Sequence, residues 1–177
     1  GDASAAQSAG DPKPVTAKNL SFGEGIDGKA VFIGSGSVLE FLTEKNLRQD
    51  RGTVMMYFKP VWDPSSVEAG TDKSKWHCLF SELRPEKRAG SGALWFWIHG
   101  SSLRADTSDV SDSYIQSSIL SGKNEWMHLA FSWDGNEKKI YINGKRAGGA
   151  GDGHSPLDLK SKSGKNSGTF KNFFVGT

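Results

Sequence analysis

One cysteine, Cys78, is the only thiol in 177 residues, so an internal disulfide and a zinc site built on cysteines are both excluded. No apolar run approaches the roughly 20 residues that cross a bilayer as a helix, and the N-terminus carries no charged-then-apolar signal segment. The chain is therefore expected to be soluble or already processed, without membrane insertion. Neither sign of charge dominates: 22 Lys and Arg against 20 Asp and Glu leave a formal net charge of +2, which argues against a nucleic-acid partner. Apolar positions never recur at three-and-four spacing over the roughly ten residues a helix needs. Chemistry is sparse as well. Glycoside hydrolysis with retention uses two carboxylates about 5 Å apart, yet Glu82 with Glu86, and Asp106 with Asp109 and Asp112, lie in turn-like contexts rich in Ser, Pro and Gly. A Gly-x-Ser-x-Gly elbow is absent, and Gly34-Ser35-Gly36-Ser37 joins two strands without opening a helix that would cradle phosphate. A Ser/His/Asp set leaves no such local signature, because its members need not be neighbours. The expectation is a protein that is not an enzyme.

What the sequence does contain is aromatic and glycine-rich: six Trp, ten Phe, three Tyr and 22 Gly, with 36% of residues hydrophobic. That is enough for one domain with a sizeable core. Residues 1–17 are small, polar and punctuated by Pro12 and Pro14, a composition that reads as a flexible linker, leaving 18–177 as the domain. From Leu20 onward, short apolar or alternating runs predict strands over 30–33, 38–41, 53–60, 76–81, 93–99, 102–106, 126–134, 139–142 and 173–176. Asn143-Gly144 is placed for a two-residue type I′ turn, and Asp134-Gly135-Asn136 also tolerates positive φ. Leu94-Trp95-Phe96-Trp97-Ile98 is apolar at every position, as in a central strand covered on both faces. Long polar loops are expected over 63–75 and 148–171.

The order of the pieces is informative. Phe22-Gly23-Glu24-Gly25-Ile26-Asp27-Gly28-Lys29-Ala30-Val31 is followed by Gly52-Thr53-Val54-Met55-Met56-Tyr57-Phe58-Lys59-Pro60-Val61-Trp62 and Leu79-Phe80-Ser81-Glu82. Trp126-Met127-His128-Leu129-Ala130-Phe131-Ser132-Trp133-Asp134-Gly135, Ile140-Tyr141-Ile142-Asn143-Gly144-Lys145 and Phe173-Phe174-Val175-Gly176 complete the series. From about Leu20 to Thr177 it resembles the laminin G-like and pentraxin-like domains of the concanavalin A-like lectin and glucanase superfamily. The resemblance implies an all-β, antiparallel jelly-roll β-sandwich whose concave face often binds carbohydrate in relatives. It also implies a secreted or cell-surface protein, extracellular or periplasmic, with a glycan or an extracellular protein as partner. Relatives continue with a further Asp-Glu-Val-Arg-like strand. Its absence here leads us to expect either a truncated chain or a strand supplied by a second polypeptide or neighbouring subunit. Calcium is the usual structural ion of the resembling families, and Glu24 and Asp27 resemble positions that help to hold it.

Sugars stack their C–H faces on aromatic rings while polar neighbours take the hydroxyls. The candidate ligand-binding residues are Tyr57, Trp62, Trp95, Trp97, His99 and Arg104, with Trp76 at the rim. Trp126, Phe131 and Trp133 are expected in the core. Alternation puts His128, Ala130 and Ser132 opposite Leu129, Phe131 and Trp133, which reads His128 as a structural histidine of the sheet. Asp152, His154 and Asp158 read as a polar loop. Lys160, Lys162, Lys165 and Lys171 form a cationic cluster, expected to be a solvated loop and otherwise able to meet an acidic polysaccharide.

Overall fold

The computed structural model describes residues 10–44, 46–48, 51–64, 76–82, 94–106, 114–119, 122–134, 137–149 and 171–176. These residues form strands β1 (Thr16–Lys18), β2 (Ser21–Glu24), β3 (Lys29–Phe32), β4 (Val38–Leu42), β5 (Gly52–Phe58), β6 (Trp76–Ser81), β7 (Trp95–His99), β8 (Ser102–Asp106), β9 (Ile115–Ser118), β10 (Met127–Trp133), β11 (Lys138–Ile142), β12 (Lys145–Gly149) and β13 (Asn172–Val175). Among them no helix is long and apolar enough to cross a membrane. Every strand pairing is antiparallel. Seven strands make one sheet in the order β1-β4-β13-β6-β7-β8-β9, four make a second in the order β12-β11-β10-β5, and β2 and β3 form a separate ribbon.

Alternation explains how the two sheets close. In β10, Leu129, Phe131 and Trp133 are buried, and they meet Phe96, Ile98, Leu103, Ala105 and Ile115 from the seven-stranded sheet in one apolar cluster. This is the expected jelly-roll sandwich. The β11–β12 connection is the expected turn: Asn143 and Gly144 take φ of 51° and 77°, the two positive values that a type I′ turn requires. Asn143 also accepts the His128 backbone N–H through Oδ1 at 2.9 Å, which ties the turn to β10. Gly52 sits against Trp133 so closely that a Cβ there would lie 2.7 Å from the indole, so this end of β5 is open only to glycine.

The nine strands read from the sequence are present, with ends shifted by one or two residues. Four others carry too little apolar content to be read. Among the described residues β1, β9 and β12 are sheet edges and β2 lies in the exposed ribbon, where one ladder of backbone hydrogen bonds suffices without a buried face. β1 straddles the linker boundary drawn at Ala17: Thr16 and Ala17 pair with Glu40 and Leu39, and the Val15 N–H donates to the Glu40 carbonyl at 2.7 Å.

Candidate functional site

β7 lies inside the seven-stranded sheet between β6 and β8. Its even-numbered residues Phe96 and Ile98 face the core, so Trp95, Trp97 and His99 emerge on the outer face. Register sets their neighbours: Trp76 lies opposite His99, Cys78 opposite Trp97, and across β8 Trp97 faces Arg104 while Trp95 faces Asp106. A bulge between Cys78 and Phe80 inserts one residue into β6, which lets Leu79 and Phe80 both be buried while Trp76 and Cys78 keep the outer side. The rings then form one continuous group. Trp76 stacks on His99 with centroids 4.3 Å apart and on Trp97 at 6.0 Å. Trp95 and Tyr114 meet Trp97 edge-on at 6.0 and 6.2 Å, and the Arg104 guanidinium lies 4.7 Å from the centre of the Tyr114 ring. Trp97 is only 7% exposed, whereas Trp76 is 58% exposed.

The electrostatics of this group are one-sided. Burial, and then the Arg104 guanidinium, hold the His99 pKa below the ordinary histidine value, which favours the neutral ring. Asp106, the nearest acid on β8, is paired with Lys138 of the opposite sheet, Nζ to Oδ1 at 3.1 Å. Among the described residues two buried donors, Trp97 Nε1 and Arg104 Nε, find no hydrogen-bond acceptor. Because the folded His99 binds its proton less readily than the unfolded one, its contribution to stability is present above about pH 6.5 and is lost as pH falls toward the lowered folded value. Melting temperatures of the parent should therefore drop more steeply between about pH 7 and pH 5 than those of a His99→Gln variant. Parallel curves would remove the histidine from this account.

Of the residues anticipated as one binding group, the structure brings together Trp95, Trp97, His99 and Arg104, with Trp76 beside them. Tyr57 is elsewhere: it points out from β5 on the far side of the sandwich, edge-on to His128 at 5.1 Å. Strand alternation gives the side of a strand, not the sheet to which that strand belongs. Trp62 stacks on His77 at 3.6 Å and packs against the periphery of the core, so it too leaves the group. Phe131 and Trp133 are core residues as expected, but Trp126 is half-buried with Lys59 Nζ 4.9 Å from the centre of its ring. Tyr114 was not anticipated. Its signal was the alternation at Tyr114-Ile115-Gln116, where Ile115 is buried and Gln116 faces Arg104 across the ladder.

Glu24 ends β2 and Asp27 lies in the turn to β3, both exposed. Calcium takes 6 to 8 oxygens, and among the described residues no group of three or more His, Cys, Asp or Glu side chains could hold a metal ion. Lys160, Lys162 and Lys165, with Asp152, His154 and Asp158, lie outside the described residues, as do Glu86, Asp109 and Asp112. Lys171 is exposed, and its carbonyl accepts the Thr43 N–H at 2.8 Å.

Residues 34–177 match a laminin G profile described as the concanavalin A-like lectin/glucanases superfamily. Among curated proteins none matches the sequence. Several solved structures share the fold, among them the following two. The binding domain of botulinum neurotoxin DC in complex with SialylT is 12% identical, with a TM-score of 0.59 over 90% of this chain and 37% of that one. Domain 4 of AbnA, a GH43 extracellular arabinanase from Geobacillus stearothermophilus in complex with arabinotriose, is 17% identical, with a TM-score of 0.51 over 88% of this chain. The chain covers 65% of that structure, so it spans less than two thirds of either.

Proposed function

This chain belongs to the concanavalin A-like lectin/glucanase superfamily, and from that premise we propose that it is an extracellular recognition domain that binds carbohydrate without cleaving it. The observation that carries the reading is the exposed Trp76 indole, stacked on His99 and Trp97 on the outer face of the seven-stranded sheet. A stacked ring held by its neighbours loses little freedom when the apolar face of a sugar lies on it. The two fold neighbours, described in complex with SialylT and with arabinotriose, support the same ligand class. The placement of the buried acids supports a role without catalysis. Glu40 accepts from Asn172 Nδ2 at 2.6 Å, Glu82 from the Leu94 N–H at 2.9 Å, and Asp106 is paired with Lys138.

Tryptophan fluorescence during titration with oligosaccharides tests the proposal. A bound glycan should quench the parent, and Trp76→Ala should weaken binding tenfold or more, about 1.4 kcal/mol, with an unchanged melting temperature because the ring is exposed. Unaltered affinity in the folded variant would remove this face from the reading. A second reading, an assembly or adhesion subunit completed by a strand from another polypeptide, is favoured by β5. Among the described residues β5 pairs on one side only and exposes Met55 and Tyr57. It is supported if the purified chain self-associates and a strand peptide restores the monomer.

A further inference from the structure

Resting on the carbohydrate reading, we propose that the outer face of the seven-stranded sheet is built for an acidic sugar, whose carboxylate or sulfate oxygens accept from Arg104 and Trp97. The two unpaired donors, Trp97 Nε1 and Arg104 Nε, are buried and stand on residues directly opposite each other across β7 and β8. A buried N–H without an acceptor costs about 1–3 kcal/mol, so an oxygen acceptor brought to these two facing residues would recover part of that cost. A guanidinium presents its donors in a fixed fork suited to a planar carboxylate or to sulfate. Among the described residues the acid on the same strand, Asp106, is paired with Lys138 on the opposite sheet. Arg104 lies over the Tyr114 ring, which attracts its charge without supplying an anion. A neutral sugar would bury that charge uncompensated, and an anionic one would balance it. Beside this corner the exposed Trp76 offers a platform for the sugar ring, so stacking and anion capture fall on neighbouring parts of one ligand.

Affinity gel electrophoresis of the full chain at about 0.15 M salt, where surface attraction is screened over about 8 Å, separates the possibilities. Five gels hold polygalacturonate, fully methyl-esterified polygalacturonate, κ-carrageenan, desulfated carrageenan, and neutral arabinan. Retardation by polygalacturonate but not by its methyl ester identifies a carboxylate, and retardation by carrageenan but not by its desulfated form identifies a sulfate. In either case Arg104→Gln should lose at least tenfold in affinity. Arg146→Gln, which removes the same charge from an exposed position on β12, should lose little. The proposal is overturned if the uncharged polymers retard the chain as strongly as their anionic parents, or if Arg104→Gln folds and is retarded like Arg146→Gln. Retardation by arabinan alone overturns the acidic-sugar inference and leaves the carbohydrate reading standing. No retardation in any gel overturns both.

Discussion

Replacing Lys138 with methionine is expected to cost about 3–5 kcal/mol of folding stability. Lys138 lies on the core side of β11, 2% exposed, with its Nζ 3.1 Å from Asp106 Oδ1. The ion pair therefore joins the four-stranded sheet to β8 of the seven-stranded one. Methionine keeps the length of the stem and removes the charge, which leaves the largely buried Asp106 carboxylate without that cation. Removing both charges is much milder than removing one, because no buried ion is stranded. Lys138→Met with Asp106→Leu should accordingly recover most of the loss. Urea unfolding of the two single variants and the double variant forms a cycle whose coupling is the measured quantity. A loss under about 1 kcal/mol in Lys138→Met, or a double variant no better than the single, would mean that the pair is not what holds the sheets together here.

Lys138 also marks the limit of what was legible in the chain. A lysine at the start of a strand reads as solvated, and only the approach of β8 turns it inward. The β10–β11–β12 stretch was legible because two local signals agree there, the alternation through Leu129, Phe131 and Trp133 and the Asn143-Gly144 pair with both φ values positive. The apolar run of β7 likewise announced a central strand covered on both faces, and β7 does lie between β6 and β8 with rings over its outer face. Grouping the rings was not legible, because period-2 alternation assigns a side within each strand and says nothing of which sheet the strand joins. Tyr57 and Trp97 are both outward-facing by that rule, yet they sit on opposite faces of the sandwich. Tyr114 was hidden for a different reason. It precedes β9, whose polar edge-strand sequence Ile115-Gln116-Ser117-Ser118 buries one apolar residue.

Phe131→Ala should cost about 3–5 kcal/mol, a third or more of the roughly 5–15 kcal/mol that keeps a domain folded. Phe131 is fully buried in β10, between Val54 of β5 and Ile140 of β11 along the sheet, with Trp133 at 5.2 Å and Phe96 of the facing sheet at 5.9 Å. Its ring occupies the point where both sheets and both neighbouring strands converge, so no single side chain can move to fill the space. Tyr57→Ala removes a ring of similar size from the outer face of the same sheet. That ring is 60% exposed and touches the His128 ring, so the cost should stay near the 0.2–1 kcal/mol of a cross-strand pair. Chemical denaturation of the two variants measures the contrast directly, and equal losses would refute the division of aromatics into core and surface. The consequence for binding follows from Phe96, which touches Phe131 and stands between Trp95 and Trp97 on β7. With its partner gone, Phe96 can shift and carry those indoles with it. The near-ultraviolet circular dichroism of the tryptophans should then weaken in Phe131→Ala even under conditions where far-ultraviolet signal shows the strands intact. An unchanged near-ultraviolet spectrum in that folded variant would show that β7 is held by the seven-stranded sheet alone, and that the outer ring group does not depend on the core beneath it.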